Sequence, residues 1–214
     1  MPENYQKILE RELTRIQATG QVPRLLLHSC CAPCSSYVLE YLSRYFAITV
    51  FYYNPNIAPE SEFRHRVEEQ QRLIREMPLP RPVDCLIGDY TPERFSAIAA
   101  GHENDPEGGE RCTACFRLRL EETARVAAAE GYGFFTTTLS ISPLKDAGRL
   151  NTIGGELAGQ YGVPYLFSDF KKREGYKRSC QLSVQYGLYR QDYCGCVFSK
   201  RDALARKNIR DSTK

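Results

Sequence analysis

Apolar runs and amphipathic stretches alternate along the chain. Runs of apolar, β-branched or aromatic residues predict strands at 24–28, 47–53, 82–87, 134–139 and 163–167. The segments around them show helical spacing or strong helix formers, which predicts helices over 2–19, 35–46, 60–76, 91–100, 112–130, 145–161 and from about 179. This alternation predicts an α/β fold with a mostly parallel sheet and helices on both faces.

The length of 214 residues predicts a single domain over 1–214. We interpret 1–20 as a leading helix that ends at Gly20, 24–200 as the core of the domain and 201–214 as a polar tail. The chain contains no run of about 18 apolar residues, and its N-terminus lacks the basic and apolar regions of a secretory signal. We therefore expect no membrane partner and a cytoplasmic location.

The cysteine content is the most informative feature of the composition. The formal net charge of +3 neither demands nor excludes a nucleic-acid partner. The 9 cysteines, however, cannot all pair internally, and disulfides are rare in a reducing cytosol. Most of them fall in tight groups, at Cys30, Cys31 and Cys34, at Cys112 and Cys115, and at Cys194 and Cys196. Such grouping indicates metal or redox chemistry.

The predicted strands bring candidate site residues together. In open parallel sheets, sites form beyond the carboxyl ends of the strands. Residues that follow four of the five predicted strands should therefore converge on one crevice: Cys30 and Cys31, Tyr53 and Asn54, Ser142, and Asp169. We predict a cysteine-rich site at this edge of the sheet.

The first two cysteine groups offer five thiolates near helix starts, where thiolates are favoured. Four thiolates complete either a zinc site or a [4Fe–4S] cluster, and the spacing does not distinguish the two. The extra thiolate and the separate Cys194-Gly195-Cys196 pair favour iron–sulfur. That pair can form a strained, redox-active disulfide or supply further ligands. We interpret the isolated Cys85 and Cys180 as structural.

Several sequence blocks resemble the QueH-type epoxyqueuosine reductases. They are Leu26 to Cys34 (LLHSCCAPC), Tyr52 to Ile57 (YYNPNI), Arg111 to Leu118 (RCTACFRL), Thr136 to Lys145 (TTTLSISPLK), Asp169 to Lys172 (DFKK) and Tyr189 to Cys196 (YRQDYCGC). The resemblance implies a PP-loop-like (HUP-like) nucleotide-binding fold. It also implies an iron–sulfur enzyme that reduces epoxyqueuosine to queuosine at the wobble position of a tRNA anticodon.

The resemblance also implies roles for particular cysteines. Cys30, Cys31, Cys112 and Cys115 match the ligands of a [4Fe–4S] cluster, and Cys194 and Cys196 match a redox-active disulfide. An additional iron beside the cluster and an external electron donor are expected as well. Cys34 lies outside the ligand set that the family requires, and two interpretations stay open for it: a ligand of the additional iron, or a neighbour of the site without a role as ligand.

Epoxide deoxygenation needs a proton source, and Asp169, Tyr53 and His28 are candidates. Asp169 is equally well interpreted as a helix cap or a partner of Lys172, and His28 as a satisfied core histidine. Candidate contacts to the substrate and its tRNA backbone are Tyr53, Asn54, Arg117, Ser142, Lys145, Lys172 and Arg190.

Two other functions fit part of the pattern. A PP-loop-type iron–sulfur tRNA thiolase would share the fold and the cysteines, but it needs a glycine-rich phosphate loop after the first strand. That place holds Ser29 to Cys34, which contains no glycine. A non-catalytic, zinc-stabilised RNA-binding module would leave the Cys194-Gly195-Cys196 pair without a purpose.

Overall fold

The computed structural model describes residues 3–212, which form eight helices and four strands. The helices are α1 (Tyr5–Thr19), α2 (Ala32–Leu42), α3 (Glu60–Glu76), α4 (Pro92–Ala99), α5 (Glu110–Ala129), α6 (Ala147–Tyr161), α7 (Gly175–Gln185) and α8 (Val197–Ser212). The strands are β1 (Arg24–His28), β2 (Ala47–Tyr52), β3 (Asp84–Ile87) and β4 (Phe134–Thr137). No helix among the described residues is long and apolar enough to cross a membrane.

The four strands form one parallel sheet in the order β3-β2-β1-β4. The central strand β1 pairs with β2 from Arg24↔Ala47 to His28↔Phe51, and with β4 from Leu25↔Phe134 to His28↔Thr137. The carboxyl ends of β1, β2 and β4 therefore meet at one edge. This confirms the predicted parallel α/β fold.

Successive side chains of β1 point into different cores, as the two-residue period of a strand requires. Leu25 and Leu27 pack with α1 and α2 on one face of the sheet. Leu26 packs with α5 and α6 on the other face. Helices thus cover both faces, as predicted, and the leading helix α1 contributes its buried Leu9, Leu13 and Ile16 to the first core.

The predicted fifth strand is wrong. Within 163–167, only Tyr165 forms a bridge, to Phe135. Phe135 N donates to Pro164 O at 3.1 Å and Leu166 N donates to Phe135 O at 2.9 Å. The pairing extends no further, because Pro164 has no N–H to donate and Leu166 O accepts from the Thr136 hydroxyl at 2.8 Å. The segment therefore runs beside β4 as an extended loop instead of adding to the sheet.

Several predicted boundaries also differ. Helix α2 begins at Ala32 rather than 35, so Cys34 lies in its first turn. The chain after β4 turns into a short 3₁₀ helix, Thr138–Ile141, where strand was predicted as far as 139. Residues 201–212 continue α8 where the composition predicted only a polar tail, and 213–214 lie outside the described residues.

Gly154 lets α6 approach Tyr165 closely. A Cβ at Gly154 would overlap the Tyr165 ring, which is 5 % exposed and has no room to move. We expect Gly154→Ala to lower the free energy of unfolding by about 1–3 kcal/mol because the substitution overpacks the core.

Gly159→Ala is the matched control on the same helix, since nothing lies within 4 Å of a Cβ built at Gly159. There, the better helix propensity of alanine should leave stability equal or higher. Urea unfolding measures both, and equal stability of the two variants would contradict the overlap.

Candidate active site

The turn after β1 places the first cysteines at the start of α2. Cys31 precedes the helix in extended conformation, and Pro33 occupies the first helical turn, where its missing N–H costs nothing. Ser29 Oγ fixes the turn by donating to Gln70 Oε1 of α3 at 2.8 Å. Asn54 Nδ2 donates to Ser29 O at 2.8 Å from the end of β2. The cysteines are thus held by buried hydrogen bonds from two neighbouring elements.

Cys30, Cys31 and Cys34 form a tight thiol triad. Their three sulfurs lie within 4.8 Å of one another, and Cys30 Sγ is 3.9 Å from Cys31 Sγ. Hydrogen bonds from Cys31 and then Cys34 hold the pKa of Cys30 well below its usual range. The pKa values of the two donating thiols are raised because each faces the Cys30 sulfur. Soft sulfur donors this close together suit a soft metal centre.

Cys112 and Cys115 lie on the first turns of α5. Gly108 N donates to Cys112 Sγ at 3.3 Å, and burial raises the pKa of Cys115. Neither sulfur belongs to the close triad. Cys112 nevertheless packs against the same apolar cluster as Cys30. Thiolates that bind different irons of one cluster can lie farther apart than the ligands of a single ion.

The Cys194-Gly195-Cys196 turn brings two further thiols together. The two sulfurs are 3.6 Å apart, and both lie within hydrogen-bond reach of Ser199 Oγ. The hydrogen-bond contact with Cys196 lowers the pKa of Cys194, and the Lys145 cation lowers it further. The pKa of Cys196 is correspondingly raised. One thiol of the pair is therefore prepared as a nucleophilic thiolate.

Gly195 is required by the shape of this turn. Its φ of +114° is rarely adopted by side-chain-bearing residues, and a Cβ there would lie 2.8 Å from Ile57 Cγ1. Gly195 O also accepts from Ala58 N at 3.1 Å. We expect Gly195→Ala to displace the two thiols and to lower turnover by at least about tenfold, since small misplacements of reacting groups are costly.

Gly187→Ala is the matched control for that prediction. Gly187 also has a positive φ, of +53°, but a Cβ there would meet open space. The control should lose stability and keep turnover. Equal turnover in the two variants, measured on folded protein, would contradict the positional role of Gly195.

One cavity of about 610 Å³ lies over the triad. Its lining includes Cys30, Cys31, Cys34 and Cys194, together with three of the predicted substrate contacts, Ser142, Lys145 and Arg190. Lys145 Nζ pairs with Glu107 Oε1 at 3.2 Å. Arg190 lies at the exposed rim and donates to the Tyr176 hydroxyl at 3.1 Å. The predicted convergence on one crevice is thus present for Cys30, Cys31 and Ser142, and the predicted substrate contacts Lys145 and Arg190 lie at the same cavity.

Asp169 and Lys172 do not line this cavity. Asp169 forms its ion pair with Lys171 Nζ, at 2.8 Å. The expectation that Lys172 would be its partner is therefore wrong. The side chain of Lys172 is exposed. The extended loop that replaces the fifth strand accounts for this, because Asp169 does not continue a sheet strand toward the crevice. Catalysis by Asp169 stays a prediction without support from this geometry.

Tyr53, Asn54 and Arg117 also lie away from the cavity wall. Tyr53 is 2 % exposed and stacks on Phe51 at a centroid distance of 5.8 Å, which leaves it buried rather than open to a base. Asn54 is buried beneath the cysteine turn. Arg117 is exposed and forms an ion pair with Glu156. Their predicted substrate contacts stay predictions.

Comparison with known proteins identifies the family. The family model described as "Epoxyqueuosine reductase QueH" matches residues 25–202. A protein of that name from Staphylococcus epidermidis is 42 % identical over 200 residues, covering 92 % of this chain and 84 % of that protein. The chain belongs to the QueH family. The Haemophilus influenzae QueH is 40 % identical over 182 residues (84 % of this chain, 73 % of that protein). The Thermotoga maritima QueH is 35 % identical over 181 residues (82 % and 89 %).

His28, a candidate proton donor in this QueH chain, is a core residue. It is fully buried, and its Nε2 lies 3.1 Å from Tyr53 O, which only accepts, so Nε2 carries the proton. Nδ1 then accepts from Thr137 Oγ1 at 2.8 Å. Burial, followed by the charge of Arg119, lowers the pKa of His28 to about 3. The interpretation as a satisfied core histidine is confirmed.

Sequence reasoning missed Arg119, which lines the cavity of this QueH chain and is 4 % exposed. Its register could have revealed it. It follows Cys112 by seven residues and Cys115 by four, and these intervals place all three on one face of a helix. A cation on the cysteine face of α5 points toward the site, whereas Arg117, two residues earlier, points to solvent.

Proposed function

We propose that this protein is an epoxyqueuosine reductase that acts on tRNA, as its family membership indicates. The observation that carries the proposal is one cavity lined by the Cys30, Cys31 and Cys34 triad and by Cys194 of the adjacent dithiol. The reaction removes the epoxide oxygen of epoxyqueuosine as water and leaves the cyclopentene of queuosine. It consumes two electrons and two protons.

The Cys194 and Cys196 pair is matched to that requirement. Oxidation of two thiols to a disulfide releases two electrons and two protons, which are the amounts that epoxide deoxygenation consumes. The 3.6 Å separation of the sulfurs allows the bond to form with little movement. We propose that this pair is redox-active and that an external electron donor, such as a reduced dithiol, returns it to the thiol form.

The donor set fits an iron–sulfur cofactor. Cys30, Cys31, Cys112 and Cys115 are proposed as ligands of a [4Fe–4S] cluster, and Cys34, beside Cys30 and Cys31, as a ligand of an additional iron. Such a cluster supplies single electrons at low potential when bound. The protein residues hold the site in a mostly buried pocket, where Leu139 and Ile141 exclude water from the thiols.

The rim of the cavity suits a nucleotide. Arg190 lies 5.7 Å from the Tyr176 ring centroid, and both line the cavity. The Tyr193 ring also lines the cavity, and its centroid lies 5.9 Å from Lys200 Nζ. Aromatic rings bind unstacked bases and nearby cations bind phosphates. We propose that the wobble nucleoside enters between these residues while the cations hold the anticodon backbone.

The direct test is the reaction itself. Anaerobic protein reconstituted with iron and sulfide is incubated with dithionite and tRNA that carries epoxyqueuosine, and the nucleosides are then quantified by mass spectrometry. Queuosine should form and epoxyqueuosine disappear in equal amounts. Zinc-loaded protein serves as the control. No queuosine from protein with a full iron and sulfide content would overturn the proposal.

A further inference from the structure

Arg119 is a buried cation without an acidic partner. Its side chain lines the cavity and is 4 % exposed, yet among the described residues no carboxylate lies within 4.0 Å of it. Arg190 also lacks a carboxylate partner within 4.0 Å among the described residues, but it is exposed at the rim, and the two remaining cavity cations are paired. Arg66 pairs with Glu62 at 2.7 Å, and Lys145 pairs with Glu107 at 3.2 Å. Arg119 contacts only neutral acceptors, with Nε donating to Cys115 O at 3.2 Å and Nη1 to Asn54 Oδ1 at 3.5 Å.

A buried charge needs an opposite charge, because leaving it unpaired in a low-dielectric site is expensive. Cys30 and Cys194 line the same cavity as Arg119, and the Arg119 Nε bonds the backbone of Cys115. The guanidinium therefore lies where the first, second and third cysteine groups meet.

We propose that Arg119 is the fixed counter-charge of the thiolate centre and raises its reduction potential by stabilising the reduced form. This inference deepens the proposed function and rests on it. Arginine stays protonated at any working pH, so its charge is constant. A thiolate-ligated centre gains one more negative charge on reduction, and a nearby cation stabilises that state more than the oxidised one. Net charge around a cluster is a recognised determinant of its potential. Arg119 is thus a positioning and electrostatic residue rather than a catalytic one.

The test compares three variants of the reconstituted holoenzyme. Arg119→Gln removes the charge, Arg119→Lys keeps it, and Arg125→Gln removes a charge from the solvent face of the same helix, where Arg125 pairs with Glu122. Potentiometric titration, followed by visible absorption and electron paramagnetic resonance, gives each midpoint potential, alongside iron and sulfide per chain. R119Q should shift the reduction equilibrium at least tenfold toward the oxidised form. For a one-electron centre, this corresponds to a midpoint potential about 59 mV more negative. R119K and R125Q should shift it less than that.

The outcomes separate this inference from the function on which it rests. A wild-type protein that holds no iron–sulfur centre would overturn both. A folded R119Q with wild-type potential would overturn only the role of Arg119. If R119Q folds but loses the centre, recovery of the centre in R119K supports the charge role, and loss from both variants contradicts it. If R119Q does not fold by circular dichroism, R119K decides, because a tenfold shift with the charge retained would overturn the proposal.

Discussion

Replacing Cys30 with serine is expected to remove the proposed iron–sulfur centre and abolish turnover. Cys30 is the thiol of the triad with the strongly lowered pKa, and it lies 3.9 Å from the Cys31 sulfur. Serine keeps the size of the side chain but offers a hard oxygen that rarely ionises, which makes it a poor ligand for iron. Even the loss of a residue that only supports a ligand costs roughly 10–100-fold in metal affinity. We expect the loss of iron affinity in Cys30→Ser to exceed that range. Iron and sulfide per chain and the visible spectrum measure the effect.

Cys85→Ser is the matched control for this prediction. Cys85 lies on β3, is half-buried and packs against the α1 and α2 side of the sheet, away from the cavity. Burial alone raises its pKa to about 11, so it remains a thiol. Its variant should keep the iron content and turnover of the wild type. Full iron content in folded C30S would show that the triad does not hold the centre.

Replacing Cys194 with serine is expected to stop turnover that is driven by a dithiol donor. Cys194 is the sulfur of the pair that lines the cavity. In the disulfide form it is the sulfur that a donor thiolate would attack, which breaks the bond to Cys196 and releases the Cys196 thiolate. We expect a loss of about 100-fold with a dithiol donor, a scale typical of removing one group that acts only during turnover. With dithionite, which reduces iron–sulfur centres directly, the loss should stay below about tenfold. The ratio of the two rates, at equal iron content, is the measurement.

Ser199→Ala provides the control for the second prediction. Ser199 Oγ lies 3.1 Å from Cys194 Sγ and 3.4 Å from Cys196 Sγ, so the substitution removes a hydrogen bond but keeps both thiols. The ratio of its two rates should stay close to that of the wild type, because both thiols remain. An equal loss with dithiol and dithionite in C194S would show that the pair does not relay electrons from the donor.

Most of the fold could be predicted from the sequence because the strands are strongly apolar. Strand β1 is fully buried between two helical layers at Leu25, Leu26 and Leu27. A short run of consecutive apolar residues is typical of a strand that is covered on both faces. The fifth strand failed for a non-local reason. The apolar run at 163–167 resembles the other strands, but its pairing with β4 is limited to the bridge between Tyr165 and Phe135 and the two backbone hydrogen bonds around it.

The candidate site was predictable in part. The rule that sites lie beyond the carboxyl ends of parallel strands located the Cys30 turn and Ser142 correctly at the cavity. The same rule does not say which side chain at a strand end faces the crevice. Tyr53 follows β2 but points into the core beside Phe51. The spacing of Arg119 from Cys112 and Cys115 places the three residues on one face of α5, but the burial of that face at the cavity depends on tertiary packing.

The most direct measurement combines electrons and product in one sample. Reconstituted protein is reduced with one dithionite addition, freed of excess reductant and mixed anaerobically with tRNA carrying epoxyqueuosine. Visible absorption and queuosine are then followed together. We predict that the oxidised spectrum returns as queuosine forms, with two electrons lost from the protein for each queuosine. A colourless protein that holds zinc even after reconstitution, or a spectrum that stays reduced while no queuosine forms, would contradict the assignment.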